Sequence, residues 1–332
     1  MVLMPRNAWY AVAHCGAVSS PVAVVLFDLA VVLFRGDSGV VAFVDRCPHR
    51  HAALSGGSVV GGQIRCGYHG WRFDDSGACT DIPGLMGGSC DTPARRLTPV
   101  PCVEAEGLVW IGVGEPPGAV PPVQTRSSGP GIVCLNWSFF VQCDPVDAIE
   151  NFLDPMHTHF IHSGLVRTDG ARRSVPVRVQ SIEGGVEAVY SEAQQSGRIA
   201  RWFGADIVES YGRYLWPGLA QLGYRDARGV ERMTITASFV PTEAGVAVTA
   251  VVAGAPPGWV PPWAARALIG PFLRRTVEQD RRVLEQVASA RREGAPAYAM
   301  SPVDLLRPHI ERRLRDPSRP SPVSPSDLVV EL

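Results

Sequence analysis

Lysine is missing from this 332-residue chain: all 31 basic residues are arginine, set against 32 acidic ones for a formal net charge of −1. We read the missing lysine as a bias of composition rather than as chemistry. The lack of net positive charge argues against the concentrated basic surface that nucleic-acid binding needs. No early apolar run reaches the roughly 20 residues of a membrane-spanning helix. The longest, Val22 to Phe34, is interrupted by Asp28 and reads as two buried strands around a turn. The first 14 residues lack the apolar stretch and small-residue cleavage site of a signal peptide. A cytoplasmic protein with no membrane partner is therefore expected. No Gly-x-Gly-x-x-Gly follows a strand, so direct binding of NAD(P)H is not expected. Nor do two cysteines stand in the Cys-x2-4-Cys knuckle typical of structural zinc.

What is present is more specific. Cys47-Pro48-His49-Arg50-His51 and Cys66-Gly67-Tyr68-His69 each pair one cysteine with one histidine, and 16 residues separate His49 from Cys66. Such a set suits a two-iron cluster in which one iron takes two thiolates and the other two imidazoles. Neutral imidazoles raise the potential of such a cluster, so one-electron transfer is the implied chemistry. The other six cysteines, Cys15, Cys79, Cys90, Cys102, Cys134 and Cys143, show no paired spacing and read as small core residues.

Both loops closely resemble the two cluster loops of the Rieske family. That resemblance implies Cys47 and Cys66 on one iron and His49 and His69 on the other. Some members add a disulfide beside the cluster; Cys79 and Cys90 are the residues placed for it, but no such bond is expected here.

Asp147 to His162 reads as a helix, and its run Glu150 to His162 is a second dense cluster that holds His157, His159 and His162. Two histidines and one carboxylate on a metal leave positions open for oxygen, as in non-heme iron(II) oxygenases. Helix geometry alone does not choose among the histidines. His159 and His162 would share a helical face, whereas His157 and His162 would need a break or bulge between them. Asn151, Asp154, His157 and His162 fall on the Asn-x-x-Asp-x-x-His-x4-His pattern of Rieske oxygenases, and the resemblance thus implies His157 and His162 as ligands. It also implies that Asp154 bonds to His157 and reaches His69 of a neighbouring subunit, and it leaves His159 as a polar neighbour. The third ligand is sought further on. Leu273, Val277, Leu284 and Val287 form an apolar stripe at helical spacing with Asp280 in its gap, where a carboxylate is costly unless paired or metal-bound. The segment around Asp280 also resembles the family's late ligand helix.

The chain thus resembles the terminal oxygenase component of Rieske non-heme iron oxygenases, in the shorter subgroup of aryl-ether demethylases and natural-product tailoring enzymes. The implied fold is α+β: an all-β Rieske [2Fe-2S] domain over residues 1–116, a catalytic domain over 117–315 whose antiparallel sheet wraps a long helix, and a proline- and serine-rich tail over 316–332. The residues themselves read as a linker at Gly114 to Gly118 with Pro121-Pro122, a long helix from about Leu268 to Glu293 and irregular surface from Asp316 to Asp327. Implied cofactors are the [2Fe-2S] cluster and a mononuclear Fe(II). Implied partners are a reductase or ferredoxin that delivers electrons from NAD(P)H, O2, a small-molecule substrate and two further copies in a head-to-tail homotrimer. Hydroxylation of a small aromatic or secondary metabolite is the expected reaction. Demethylation, desaturation and nitrogen oxidation remain open, as does, outside enzymes, a Rieske electron carrier. Trp202, Phe203, Tyr211, Tyr214, Trp216 and Phe239 are candidates both for a pocket wall and for sheet core.

Overall fold

Strand and turn residues dominate residues 1–115, and the structure, a computed structural model, forms strands there. It describes residues 4–115, 118, 120, 132–166, 172–191, 207–256, 260–316 and 326–332. Of the sequence expectations, Trp202, Phe203 and Pro121-Pro122 lie outside them. The chain divides into two compact units, one comprising Arg6–Val120 with Val240–Glu243, the other built chiefly from the chain beyond Val120.

The first unit has three small sheets. One joins β1 (Ala8–His14), β11 (Leu108–Val113) and β10 (Cys102–Ala105). The second joins β2 (Val22–Leu26), β3 (Leu29–Gly36), β4 (Gly39–Val44) and β9 (Pro99–Val100). The run broken by Asp28 is thus a hairpin, with Leu26 opposite Leu29. The third joins β5 (Ser58–Val60), β6 (Gln63–Arg65), β7 (Arg72–Phe73) and β8 (Cys79–Asp81). Val32, Phe34, Leu54, Ile64 and Phe73 form one buried cluster that also contains Cys47 and Cys66. The two cysteine loops are therefore anchored in core at their cysteine ends.

The second unit holds one eight-stranded antiparallel sheet. Its strands are β12 (Val133–Val141), β13 (Ser174–Ile182), β14 (Gly185–Ser191), β15 (Ile207–Leu215), β16 (Leu219–Asp226), β17 (Glu231–Thr242), β18 (Gly245–Gly254) and β19 (Ser326–Glu331). Their order is β12-β18-β17-β16-β15-β14-β13-β19. Strands β15 to β18 are rich in β-branched and aromatic residues, and tight Gly-containing turns connect them, which favours antiparallel neighbours. The irregular reading of Asp316 to Asp327 is corrected only at Ser326 and Asp327, where a strand starts: Ser326–Glu331 pairs with β13, with Leu328 opposite Val177. Alternating Leu328, Val330 and Leu332 let the segment add to an edge.

Among the described residues three helices complete this unit: α1 (Pro145–Leu153), α2 (Pro262–Arg292) and α3 (Arg307–Arg315). Helix α2 begins before the expected Leu268, and it packs on β12, whereas α1 packs on β15 and β16. None of the described helices is long and apolar enough to cross a membrane.

Candidate metal centres

The cluster loops repeat one backbone device. The Cys47 N–H bonds to the Ala52 carbonyl and the His51 N–H returns to the Cys47 carbonyl; likewise Cys66 N–H bonds to Trp71 and Gly70 N–H to Cys66. Each knuckle closes four residues after its cysteine, with positive φ at His51 (60°) and Gly70 (76°). Glycine meets that requirement at no steric cost; a non-glycine at such a φ is uncommon and marks a held conformation. Close approach fixes the second loop too, because a Cβ on Gly67 would sit 2.8 Å from the Gly56 carbonyl oxygen.

These knuckles bring the four candidate ligands together. Cys47 and Cys66 are buried, and burial together with the neighbouring Cys66 sulfur pushes the Cys47 thiol up to about 11 in the metal-free chain. The His49 and His69 rings lie 4.5 Å apart, and His49 stacks at 4.6 Å on Trp71. Burial, then the charges of His69 and Arg50, lower the His49 pKa, which favours the neutral imidazole a metal needs. Its Nδ1 is buried with no hydrogen-bond partner. An unpaired buried nitrogen is costly unless something binds it. The donor set therefore fits a Rieske cluster. His69 and its neighbour Tyr68 are exposed, so the imidazole edge of this site faces outwards. Cys79 and Cys90 are free thiols.

The second centre depends on where α1 stops. Asp144 caps its start by accepting from the Val146 N–H, Pro145 takes the first turn, and Val146, Ala148, Ile149 and Leu153 are buried. The sequence suggested one helix from Asp147 to His162. The structure ends it at Leu153, because Asp154 precedes Pro155 and the residue before proline is pushed out of the helical region; Asp154 has ψ 119°. A short 3-10 turn, Met156–His159, follows. Asp154 starts that turn, accepting from the N–H groups of Met156 (2.8 Å) and His157 (3.2 Å). The break that the His157/His162 pair required lies further on: the 3-10 turn ends at His159, between the two histidines, and their rings stand 5.1 Å apart.

Asp280 on α2 completes the group. One ligand-type atom from each of His157, His162 and Asp280 lies within 4.8 Å of the others. Nε2 of His157 and of His162 stand 3.4 and 3.1 Å from Asp280 Oδ1. Each imidazole's other nitrogen has its own partner: His157 Nδ1 faces Asp154 Oδ2 at 3.4 Å and His162 Nδ1 faces Gln279 Oε1 at 3.1 Å. If both Nδ1 atoms donate, both Nε2 atoms present lone pairs towards a buried carboxylate oxygen that has no hydrogen-bond partner. Three lone pairs converging in a buried place repel unless a proton or a cation sits among them. The same charges act on the protons of these groups. Burial opposes charge on His157, but Asp154 and Asp280 outweigh it and raise its pKa to about 9. Burial likewise opposes charge on Asp280, yet the two histidines hold its carboxyl at about 2.

His159 is buried on the same turn but outside this group. Asn151, on α1, lines a cavity of about 210 Å³ that opens onto the three converging groups. Its walls include Trp137, Phe139, Phe152, Phe239 and Phe272. Of the aromatic candidates, Phe239 and Tyr211 border the cavity, whereas Tyr214 is buried and donates its hydroxyl to the Pro217 carbonyl. Sequence reasoning missed Gln279 and the wall residues on β12. The signal was available for Gln279, which directly precedes Asp280, but an amide beside a carboxylate has no spacing signature of its own.

Known proteins match both parts of the chain. Residues 8–98 match the Rieske [2Fe-2S] domain, and residues 141–315 match the vanillate O-demethylase oxygenase C-terminal domain. The chain is 34% identical over 174 residues to the oxygenase component of dicamba O-demethylase from Stenotrophomonas maltophilia, covering 51% of this chain and 50% of that protein. It is 36% identical over 183 residues to a putative toluene-4-sulfonate monooxygenase iron-sulfur subunit from Comamonas testosteroni, covering 53% of this chain and 51% of that one. These matches thus span about half the length of the curated relatives. In fold, the crystal structure of dicamba monooxygenase bound to 3,6-dichlorosalicylic acid superimposes with a TM-score of 0.78 at 24% identity, over 94% of this chain and 97% of the other. With its Rieske [2Fe-2S] domain and an oxygenase domain matched over more than half its length, the chain belongs to the family of Rieske oxygenase components with a vanillate O-demethylase-type C-terminal domain.

Proposed function

We propose that the protein is the oxygenase component of a multi-protein oxygenase, with Cys47, His49, Cys66 and His69 holding the cluster and His157, His162 and Asp280 holding a mononuclear iron(II). The observation that carries this reading is the convergence of two Nε2 atoms on the unpartnered Oδ1 of Asp280. Iron(II) bound there supplies open positions for dioxygen. Asp154 and Gln279 hold the two imidazoles in the tautomer that directs Nε2 inwards. The aromatic cavity seats the substrate and excludes bulk water.

The reaction is hydroxylation of a C–H bond on a small aromatic or secondary metabolite. Demethylation is the same reaction at an O-methyl group, since the hydroxylated methyl then leaves as formaldehyde. The names of relatives favour this form: dicamba O-demethylase and, for the matched domain, vanillate O-demethylase. Electrons come from a separate NAD(P)H-dependent reductase or ferredoxin. A second groove of about 370 Å³, bordered by Asn151, Asp154, Tyr298, Met300 and Arg307, opens beside Asp154. The exposed His69 edge of a neighbouring copy would dock there in a homotrimer, with Asp154 bridging the two centres.

Anaerobic reconstitution tests the proposal. The expected result is about three irons per chain, a reduced cluster with the EPR signal of mixed thiolate-imidazole ligation, and loss of about one iron in Asp280→Ala. About two irons per chain, unchanged in Asp280→Ala, would identify an electron carrier instead.

A further inference from the structure

The cavity at the iron site is distinctive in two properties, size and charge. It is small: an apolar cavity of about 150 Å³ accommodates benzene, and this one, at about 210 Å³, has room for a single substituted ring. Aromatic rings stand among its largely apolar walls. Phe152 and Phe239 meet edge to face at 5.7 Å, and Trp137 stacks with Phe139 at 6.5 Å. Small side chains, Ala237 and Ala250, with Gly212, make up part of the sheet wall. Aromatic rings among apolar walls favour an aromatic ligand.

Charge is compensated on every described wall. Apart from the two histidines of the iron site, the one basic residue among the described lining residues is Arg281. Its guanidinium is committed to Glu278 through two hydrogen bonds of 2.9 Å, and Glu285 stands 3.6 Å away. The iron site offers no surplus positive charge either. A divalent iron is matched by the carboxylates of Asp280 and Asp154, and neutral His157 and His162 add none. The wall's remaining polar groups include Asn151 and Thr276, which are uncharged; the Thr276 hydroxyl donates to the Phe272 carbonyl and keeps its lone pairs for a ligand. An aromatic carboxylate entering this cavity would give up its hydration and meet no counter-ion among the described residues, whereas a neutral ring meets apolar walls and hydrogen-bonding groups.

We infer that this cavity selects a neutral, single-ring aromatic compound over the aromatic carboxylate of the same shape. The inference rests on the oxygenase reading above and refines it to a substrate class.

The test is calorimetric titration of the full-length, iron-loaded chain at pH 7 with two near-isosteres, 4-methoxybenzamide and 4-methoxybenzoate. The amide is expected to bind about tenfold or more tightly than the ionised acid. Thr276→Lys, which places a cation in the wall, is expected to shift the ratio towards the acid. Equal or tighter binding of the benzoate by the unaltered chain overturns the inference. So does binding of neither compound below about 1 mM, or an unchanged ratio in a Thr276→Lys protein with native circular dichroism. Iron counted on the same samples separates the substrate class from the oxygenase reading. The wrong preference at full iron content overturns the substrate class alone. A chain that takes up no mononuclear iron overturns the oxygenase reading, and the inference with it.

Discussion

Gln279 shows how little a residue need resemble a ligand to shape a metal site. It offers a neutral acceptor to His162, where Asp154 offers a charged one to His157. The two imidazoles thus differ in how strongly they are polarised. Replacing such partners typically weakens metal binding about 10- to 100-fold. Gln279→Leu should therefore lose mononuclear iron at that scale in a chelator competition, with the cluster's EPR signal untouched. Gln279→Glu, which keeps an acceptor, should retain most of it. Equal affinity in Gln279→Leu and the unaltered chain would show that the amide does not position His162. A second expectation concerns the thiols outside the cluster. Burial raises Cys79 to about 11 and Cys102 and Cys143 to about 12. The thiolate is the reactive form, and a raised pKa leaves these groups protonated until the pH climbs past about 10. Alkylation of the folded chain at pH 8, followed by peptide mass spectrometry, should spare all three; rapid labelling there would contradict their burial. The sequence did suggest Cys79, Cys102 and Cys143 as core thiols, since none has a partner at a useful spacing.

Elements impose the geometry that single residues need. Helix α1 delivers Asn151 and stops at Asp154, and α3 holds it in place from outside. Arg307 of α3, 7% exposed, bonds to Asp147 at 2.9 Å and to Glu150. Tyr298 donates to Asp147 at 2.8 Å, and Arg291 approaches the same carboxylate at 3.5 Å. Burial pushes the Glu150 pKa up against the pull of Arg307, so the carboxylate depends on its partner to stay charged. Arg307→Met would leave two carboxylates short of a counter-ion at low exposure. Removing one side of a buried pair costs about 3–5 kcal/mol, and chemical denaturation should report a loss of that order. A change under about 1 kcal/mol would mean that water reaches the cluster. None of this was legible from spacing, because Arg307 lies 160 residues from Asp147. The Asp154-Pro155 stop, by contrast, is a local steric rule written in two adjacent residues, yet the helical look of the surrounding run concealed it.

At the scale of the whole molecule, both proposed centres depend on other molecules. The chain alone, given NAD(P)H and substrate, should show no repeated turnover; repeated product formation without a redox partner would refute the need for a reductase. The proposed trimer has its own test. Subunits carrying His69→Ala and subunits carrying Asp280→Ala, each inactive alone, should recover part of the activity when co-assembled, because an intact cluster would then stand beside an intact iron in a neighbour. Failure to recover activity in verified mixed oligomers would point to electron transfer within one chain.

The sequence by itself determined the donor chemistry: two Cys-His knuckles, an Asp-x-x-His-x4-His run, and a carboxylate in the gap of an apolar helical stripe. Those signals survive in one dimension because knuckles and helix faces are local, fixed by backbone geometry over a few residues. Tertiary structure decided what locality cannot encode. It broke the helix so that His157 and His162 converge, and brought Asp280 and Gln279 to them from more than 100 residues away. It also turned strand and helix side chains into a small, charge-compensated cavity. The physical reason is that a metal site and a pocket are closed surfaces. Their walls come from whichever elements the packing brings together, and the order of residues along the chain does not specify that company.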